Sequence, residues 1–471
     1  MNWITSQIGA REHYAIPRVL HRVGKLERLY SDFWASAPWR LIGKLTGKGS
    51  MSTRFHPDLA DASVTAFNLQ ALKASRQRFA NPYDGFFQIG RQFGELVVKD
   101  LEKQSRVERR VSRAMLAESR DKGRGTRAPN SQLPATSSTV FFGYDTGFLE
   151  PARWIKARGG KTIVCQMDPA RYEVELVKEE EKRWPGWAKR SVEVPEAYYR
   201  RREEEWAVAD LVMVNSEWTK AALIRQGVSD DKIVIVPLAY EAGDRGRNLL
   251  QRMRSNGQAS KLETGCNGCE ATAGSANLKL AEKDAKQRQV SSFSLKRPLR
   301  VLFLGQVILR KGIQYLIEAA TLLKNEAIHF DIVGSIGISD QAVASAPSNM
   351  TFHGPVSRDR TEGFYRSCDL FVLPTLSDGF ALTQLEAMAH GLPVIATPNC
   401  GEVVTDGVDG LIVPGSDSNA LAEAFQLLIQ DPEKLRSMSA ATGAKVEHFS
   451  LGRLGENLEE VEKKLIMENG K

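Results

Sequence analysis

From Arg300 to Gln430 short apolar runs alternate with helix-patterned stretches, and this alternation most narrows what the chain can fold into. RVLFL (Arg300–Leu304), FDIV (Phe330–Val333), MTFH (Met350–His353), LFVLP (Leu370–Pro374), PVIAT (Pro393–Thr397) and GLIV (Gly410–Val413) read as strands. Gly312–Leu323, Arg358–Ser367 and Thr383–His390 read as helices between them. Strands this short and apolar, separated by helices, predict a parallel sheet covered on both faces. The first half repeats the pattern less cleanly, with strands at Met1–Ser6, Thr139–Tyr144, Lys161–Cys165, Leu211–Val214 and Lys232–Val236. Its helices fall at Glu173–Arg183 and Pro195–Ala209, and Ser216 is placed to cap another. The expectation is an α/β protein: two doubly wound parallel-sheet domains facing across a cleft, with ligands at the carboxyl ends of the strands.

The 471 residues suit about two or three domains. The expected divisions are an N-terminal parallel-sheet domain over 1–242, a flexible low-complexity insertion over 243–298, and a C-terminal parallel-sheet domain over 299–450. A final helix over 451–471 carries Leu454, Leu458, Val461 and Leu465 at helical spacing, and is expected to pack back toward the first domain. A net charge of +7 is too diffuse for a nucleic-acid binder but suits an anionic substrate or an acidic membrane surface. No apolar run approaches the roughly 20 residues of a membrane span, and MNWITSQIGAREHYAIPR has no signal pattern, so the expected location is the cytoplasm. Phe33, Trp34, Trp39, Leu41 and Ile42 mixed with Arg40, Lys44 and Lys48 allow peripheral contact with the inner membrane face. Packing over the cleft is the favoured reading of that stretch. Leu101–Gln132 reads as an exposed charged helix running into a loop. Cys266 and Cys269 form one CxxC with no second pair, which argues against zinc.

The chemistry concentrates in SDGFALTQLEAMAHGLPVIATPNCGE (Ser377–Glu402). Asp378 falls on the loop after a strand, and Glu386 in the first turn of the following helix. Thr383-x-x-Glu386 also fits a capping box, which is a purely structural use of that glutamate. GQVILRKG (Gly305–Gly312) ends the first strand of this half and sets Arg310 and Lys311 beside backbone amides able to receive a diphosphate. An adjacent pair of cations is also common on a solvated face.

GQVILRKG, FHGPV (Phe352–Val356), LFVLPT (Leu370–Thr375) and above all SDGFALTQLEAMAHGLPVIAT (Ser377–Thr397) closely resemble the retaining GT-B glycosyltransferases, in the glycosyl transferases group 1 family. QIGAREHYAIPR, ADLVMVNSEWTK and VPLAYE extend the resemblance more weakly into the first half. The resemblance implies two Rossmann-like domains, a nucleotide-sugar donor, and hexosyl transfer to a carbohydrate, lipid-linked or small-molecule acceptor. It implies that Glu386 binds the ribose hydroxyls and that Asp378, where the family has glutamate, reaches the donor sugar. Gly379, Phe380 and Ala381 would offer amides to the sugar, with Leu382 and Thr383 opening the helix toward the phosphates. Lys311 and Gln306 take the places of the family's basic pair. Gln306 supplies a hydrogen bond without charge, and Arg310 is the candidate to compensate.

The base is expected near Gly354–Val356, with Gly305 a further donor-binding candidate and His353 read as a packed strand-end residue. On the acceptor side the resemblance points to Gly9, with His13, Asp168 and Gln166 as candidates where relatives carry a histidine. No aspartate-x-aspartate motif follows a strand, so transfer is expected to need no metal or other cofactor. A front-face reaction with retention is the implied mechanism. An epimerase or phosphorylase on a similar fold, and a catalytically weak nucleotide-binding module, stay open as alternatives.

Overall fold

The computed structural model describes residues 1–37, 39, 54–121, 138–241 and 297–467. Nearly all of the 243–298 insertion, the basic-aromatic residues Arg40, Leu41, Ile42, Lys44 and Lys48, and Cys266 and Cys269 lie outside the described residues.

Among the described residues the strands form two sheets in which every pairing is parallel. The first contains β1 (Asn2–Gln7), β2 (Leu26–Ser31), β3 (Val64–Ala66), β4 (Thr139–Tyr144), β5 (Lys161–Gln166), β6 (Leu211–Val214) and β7 (Ile233–Ile235). Their order is β3-β2-β1-β4-β5-β6-β7. The second contains β8 (Leu299–Leu304), β9 (Ile328–Val333), β10 (Met350–Gly354), β11 (Leu370–Leu373), β12 (Val394–Ala396) and β13 (Gly410–Ile412), in the order β10-β9-β8-β11-β12-β13. Chain direction across each sheet reverses once, between β1 and β4 and between β8 and β11. A crevice opens at such a switch point because the loops leave on opposite faces. The expected two-domain parallel α/β fold is therefore what the chain adopts.

Two strands escaped the sequence reading. In β2, LERLYS, Glu27 and Arg28 interrupt the apolar run and only Leu29–Ser31 are buried. β3 is three half-buried residues. The helix read from Leu101 begins at Pro82, where Asn81 Oδ1 accepts the Tyr83 amide at 2.9 Å, and runs to Asp121. Its N-terminal half buries Phe93, Val97 and Leu101 against β4 and its neighbours. Gly90 obscured that start: a Cβ there would lie 2.3 Å from Thr146 O, so close approach requires the glycine.

The chain crosses between domains where the Tyr240 amide donates to Phe449 O at 2.7 Å. The Leu451–Met467 helix then buries Leu454, Leu458, Val461 and Leu465 in the N-terminal core with Trp3, Val19 and Leu20. Glu462 receives Lys25 Nζ at 2.7 Å and the amino group of Met1. A second fastening lies at the side of the cleft. Lys189 N donates to Gly337 O at 3.0 Å, Ser339 N to Trp187 O at 2.6 Å, and Tyr315 Oη to Glu180 Oε2 at 2.7 Å. No helix of the described residues is long and apolar enough to cross a membrane.

Candidate functional site

The C-terminal wall of the cleft is built at the β8/β11 switch point. After β8 the chain turns at Gly305, whose carbonyl packs so close to Gly334 that a Cβ on the latter would lie 1.7 Å away. Val307 and Leu309 are buried as anchors, and Gln306 between the strand end and these anchors is exposed. Leu309–Lys311 form a short 3-10 turn ended by Gly312 at φ +72°. A Cβ on Gly312 would lie 1.8 Å from Pro374 O, so only glycine lets this turn sit on the end of β11. The turn directs both cations at the loop after β11. Lys311 is ion-paired with Asp378. Arg310 Nη1 donates to Ser377 O at 2.8 Å and lies 3.4 Å from Glu173 Oε2.

The loop after β11 is pinned from several sides. The Leu376 amide donates to Arg310 O at 2.9 Å and the Asp378 amide to Asn399 O at 2.8 Å. Gly379 touches the opposite domain, where a Cβ would lie 1.8 Å from Met167 O. The Ala381 amide donates to Cys400 O at 3.3 Å, which corrects the expectation that it is free for a donor sugar. The Phe380 ring is buried against Phe449. Among the described residues the amides of Gly379, Phe380, Leu382 and Thr383 have no acceptor.

The capping box does not form. The helix spans Leu382–Ala389 with Ala381 at its N-cap and no side-chain cap, so Glu386 stands in the second turn, not the first. With no Thr383 cap to serve, Glu386 Oε2 instead accepts the Tyr365 hydroxyl at 2.9 Å. Tyr365 stacks on His390, whose Nδ1 contacts Glu386 O at 2.8 Å. Burial and the Glu386 charge push the Tyr365 hydroxyl well above the ordinary phenol range. His353, an exposed residue at the end of β10, contacts Asp331 Oδ1 at 2.8 Å and meets Phe364 edge-on. Gly354 adopts φ +68° and its carbonyl accepts the Gly334 amide, which brings Gly354–Val356 beside the β8 loop.

The N-terminal wall is built at the β1/β4 switch point. Gly9, at φ +90°, donates its amide to Asp32 Oδ1, which also receives Arg54 Nη1; both distances are 2.9 Å. Glu12, His13 and Tyr14 then hold left-handed backbone angles, with φ between +50° and +61°. Such conformations are costly for residues with side chains and collect at functional sites. Burial pushes the Glu12 carboxyl up to about 7, against the Tyr144 hydrogen bond and the Arg11 charge. His13 Nε2 accepts Arg358 Nη2 at 3.0 Å across the cleft. Burial, with Arg358, holds this imidazole below its ordinary range.

Gln166 is buried and committed: Trp206 Nε1 donates to its carbonyl at 3.1 Å, and its amide donates to Asp168 O at 3.0 Å. Asp168 accepts Arg202 Nη1 at 2.8 Å and the Ala170 amide at 2.9 Å. Burial raises its proton affinity, but Arg202 overrides this and holds the carboxyl below its ordinary value.

The two walls meet through residues that sequence reasoning missed. Ser377 Oγ donates to Glu173 Oε2 at 2.8 Å and accepts Trp218 Nε1 at 3.1 Å. Glu173 sits in EVELVKEEEKR, a charge run whose ordinary reading is a solvated helix face; nothing in its spacing marks it. Tyr365 and Arg358 belong to an ordinary-looking helix, Arg358–Ser367. Thus Arg310, Lys311, Asp378 and the loop amides are brought together, with Glu386 one helical turn further on, while Gln306 is exposed on the loop after β8. Gly9 and His13 approach from the facing domain, and Asp168 reaches the cluster through its neighbour Glu173. Among the described residues, no group of three or more His, Cys, Asp or Glu side chains is placed to hold a metal ion.

A family model described as glycosyl transferases group 1 matches residues 298–431. This stretch is a glycosyl transferases group 1 domain. The group 1 domain holds β8 to β13 and supplies the whole C-terminal wall of the site. Curated relatives match a limited part of the chain. D-inositol 3-phosphate glycosyltransferase of Arthrobacter sp. (strain FB24) is 33% identical over 166 residues, 32% of this chain and 39% of that protein. N,N'-diacetylbacillosaminyl-diphospho-undecaprenol alpha-1,3-N-acetylgalactosaminyltransferase of Campylobacter jejuni is 31% identical over 156 residues, 32% of this chain and 40% of that protein. The chain therefore matches well under half the length of these relatives. Among solved structures, Anabaena HepE in complex with UDP and glucose matches 98% of this chain and 100% of its own, with a TM-score of 0.55 at 13% identity. That likeness is one of fold, the two-domain GT-B arrangement, with the group 1 domain as its C-terminal member.

Proposed function

We propose that the chain transfers a sugar from a nucleoside-diphosphate sugar to a carbohydrate or lipid-linked acceptor, with retention of anomeric configuration. One observation carries this reading: Arg310 and Lys311 flank unpaired loop amides at the switch point of a group 1 domain. Cations and amides placed where charge develops are what a departing diphosphate requires. In this reading Lys311 and Arg310 offset the phosphate charge, and Gln306 adds a neutral hydrogen bond. The amides of Gly379, Phe380, Leu382 and Thr383 complete the cradle. Asp378 accepts a donor-sugar hydroxyl, Glu386 accepts ribose hydroxyls, and Gly305, Gly354 and Val356 border the base.

The bond from the sugar's anomeric carbon to the phosphate oxygen breaks, and its electron pair stays on the phosphate. The acceptor oxygen bonds to that carbon on the same face, and its proton passes to the departing phosphate. Gly9, His13 and Asp168 border the acceptor side. Transfer without a metal is part of this reading, with Lys311 and Arg310 as the cations that face the phosphates. Chelation should leave turnover unchanged; a loss restored by a divalent ion would count against that part. The relatives named for an inositol phosphate and for an undecaprenol-linked sugar support an acceptor of either class, and a lipid-linked one would place the reaction in the cytoplasm at the membrane face.

HepE, bound to UDP and glucose, makes uridine nucleotides the first probes. A thermal-shift panel of nucleotide sugars should show one that raises the melting temperature. Mass spectrometry should then find the sugar on an acceptor, and NMR should find the donor's anomeric configuration kept. An inverted product contradicts retention, and a product still attached to nucleotide points to epimerisation.

A further inference from the structure

The Arg171–Arg183 helix sends one carboxylate across the cleft into the donor wall. Glu173 Oε2 accepts the Ser377 hydroxyl at 2.8 Å, and Arg310 Nη1 lies 3.4 Å from the same oxygen. Ser377 Oγ already receives Trp218 Nε1–H at 3.1 Å, so the serine proton is directed to Glu173. Arg310 Nη1 also donates to Ser377 O at 2.8 Å. A single residue of the N-terminal domain thus touches both the arginine and the loop that carries Asp378.

The surroundings of Glu173 are crowded with charge. Arg310, Ser377 and Asp378 face it from the group 1 domain, Asp168 from the loop after β5, and Tyr83 from the Pro82–Asp121 helix. Arg202 and Arg11 stand behind Asp168. Arg310 and Lys311 are balanced by Glu173 and Asp378. A diphosphate brought onto these cations makes the cluster net negative, and a carboxylate that takes up a proton reduces that excess. Asp378 is paired directly with Lys311, whereas Glu173 has a longer contact with Arg310 and two carboxylates beside it. Glu173 is therefore the group that protonates at least cost. Burial, opposed by Arg310, already pushes its carboxyl up to about 7.

We propose that Glu173 is a positioning residue of the donor site. Ionised, it holds Arg310 and the Ser377–Asp378 loop in place across the cleft; it takes up one proton from solvent when the diphosphate of a nucleotide sugar settles on Arg310. This inference rests on the donor reading above and adds to it a residue and a proton.

The test is calorimetric titration of the full chain with UDP-glucose, which carries no group that titrates from about pH 6 to about pH 8.5. For the wild type, Kd should rise by up to about tenfold per pH unit above about pH 7, and the binding enthalpy should depend on the buffer's ionisation heat. Glu173→Gln keeps an acceptor for Ser377 and removes the charge. It should flatten the pH profile, abolish the buffer dependence and bind about tenfold tighter near pH 8. Glu173→Ala should lower kcat by loosening Arg310, and Gln should restore it, which a purely structural residue would not do. Ser377→Ala removes the donor that stabilises the ionised form, so the pH midpoint should move up. A Glu173→Gln variant with the wild-type slope, or an unmoved midpoint in Ser377→Ala, overturns the inference while leaving the donor reading intact. If UDP-glucose and the other nucleotide sugars of the panel fail to bind the wild type, the donor reading falls and Glu173 falls with it.

Discussion

Lys311 and Glu386 would hold opposite ends of the donor in the proposed function, and their present partners differ in a way that separates function from stability. Lys311 contacts Asp378 on a loop already pinned by backbone bonds from Leu376 and Asp378. Lys311→Ala should therefore cost little stability yet lower kcat by about a hundredfold to a thousandfold, the usual loss when one group that stabilises a leaving anion is removed. Steady-state kinetics beside a thermal melt checks this. Glu386→Ala removes one acceptor from Tyr365, worth about 1 kcal/mol of stability. Its effect on nucleotide affinity should be larger, at least about tenfold, since two charge-assisted hydrogen bonds to ribose would go. A melting temperature that falls while Kd holds would return Glu386 to a structural role. The positions of Lys311, Asp378 and Glu386 were legible because each lies in a run that is continuous in sequence, GQVILRKG for Lys311 and Ser377–Thr397 for the two acids. Glu173 was not, because its partners Ser377 and Arg310 lie in the other domain and only folding brings them together. The Ala381 amide was misjudged for a similar reason: its acceptor, Cys400 O, comes from a different loop.

At the scale of elements, legibility followed the length and burial of each apolar run. β4 and β5 are buried along almost their whole length and read plainly, whereas β2 mixes charge into its first half and β3 is three residues long. The last helix has a sustained apolar stripe, and its burial against Trp3, Val19 and Leu20 gives it a measurable share in the stability of the N-terminal domain. Leu458→Ala, at a position only 3% exposed, should destabilise the chain by about 2–5 kcal/mol in denaturant unfolding. A loss below about 0.5 kcal/mol would mean the helix is not docked there.

Across the whole molecule, buried acids set the response to pH. Glu12 and Glu173 are pushed up to about 7 and Glu205 to about 8, in each case chiefly by burial. Each binds its proton more tightly in the folded chain than in the unfolded one. Their stabilising share is thus complete below the unfolded value and is lost as pH rises through about 7 to 8. His13 and His56, held low by burial, contribute stability that is lost as pH falls below the ordinary imidazole range. Both trends leave the melting temperature falling from about pH 6.5 to about pH 8.5, which scanning calorimetry can follow. A rise over that window would contradict the burial of these carboxylates. The same scale was the most legible in the sequence. Two runs of alternating strands and helices specify two parallel sheets, because no other arrangement covers so many short apolar strands on both faces.

The proposed function puts a nucleotide sugar at the β8/β11 switch point, between the group 1 domain and the Glu173 helix. Hydrogen–deuterium exchange of the full chain with and without UDP-glucose tests its location directly. Exchange should slow in peptides covering 305–312 and 377–386, where the unpaired amides of Gly379, Phe380, Leu382 and Thr383 would gain acceptors, and in the facing segment around Glu173. Binding that leaves these peptides unprotected, or protects only peptides away from the cleft, would contradict it.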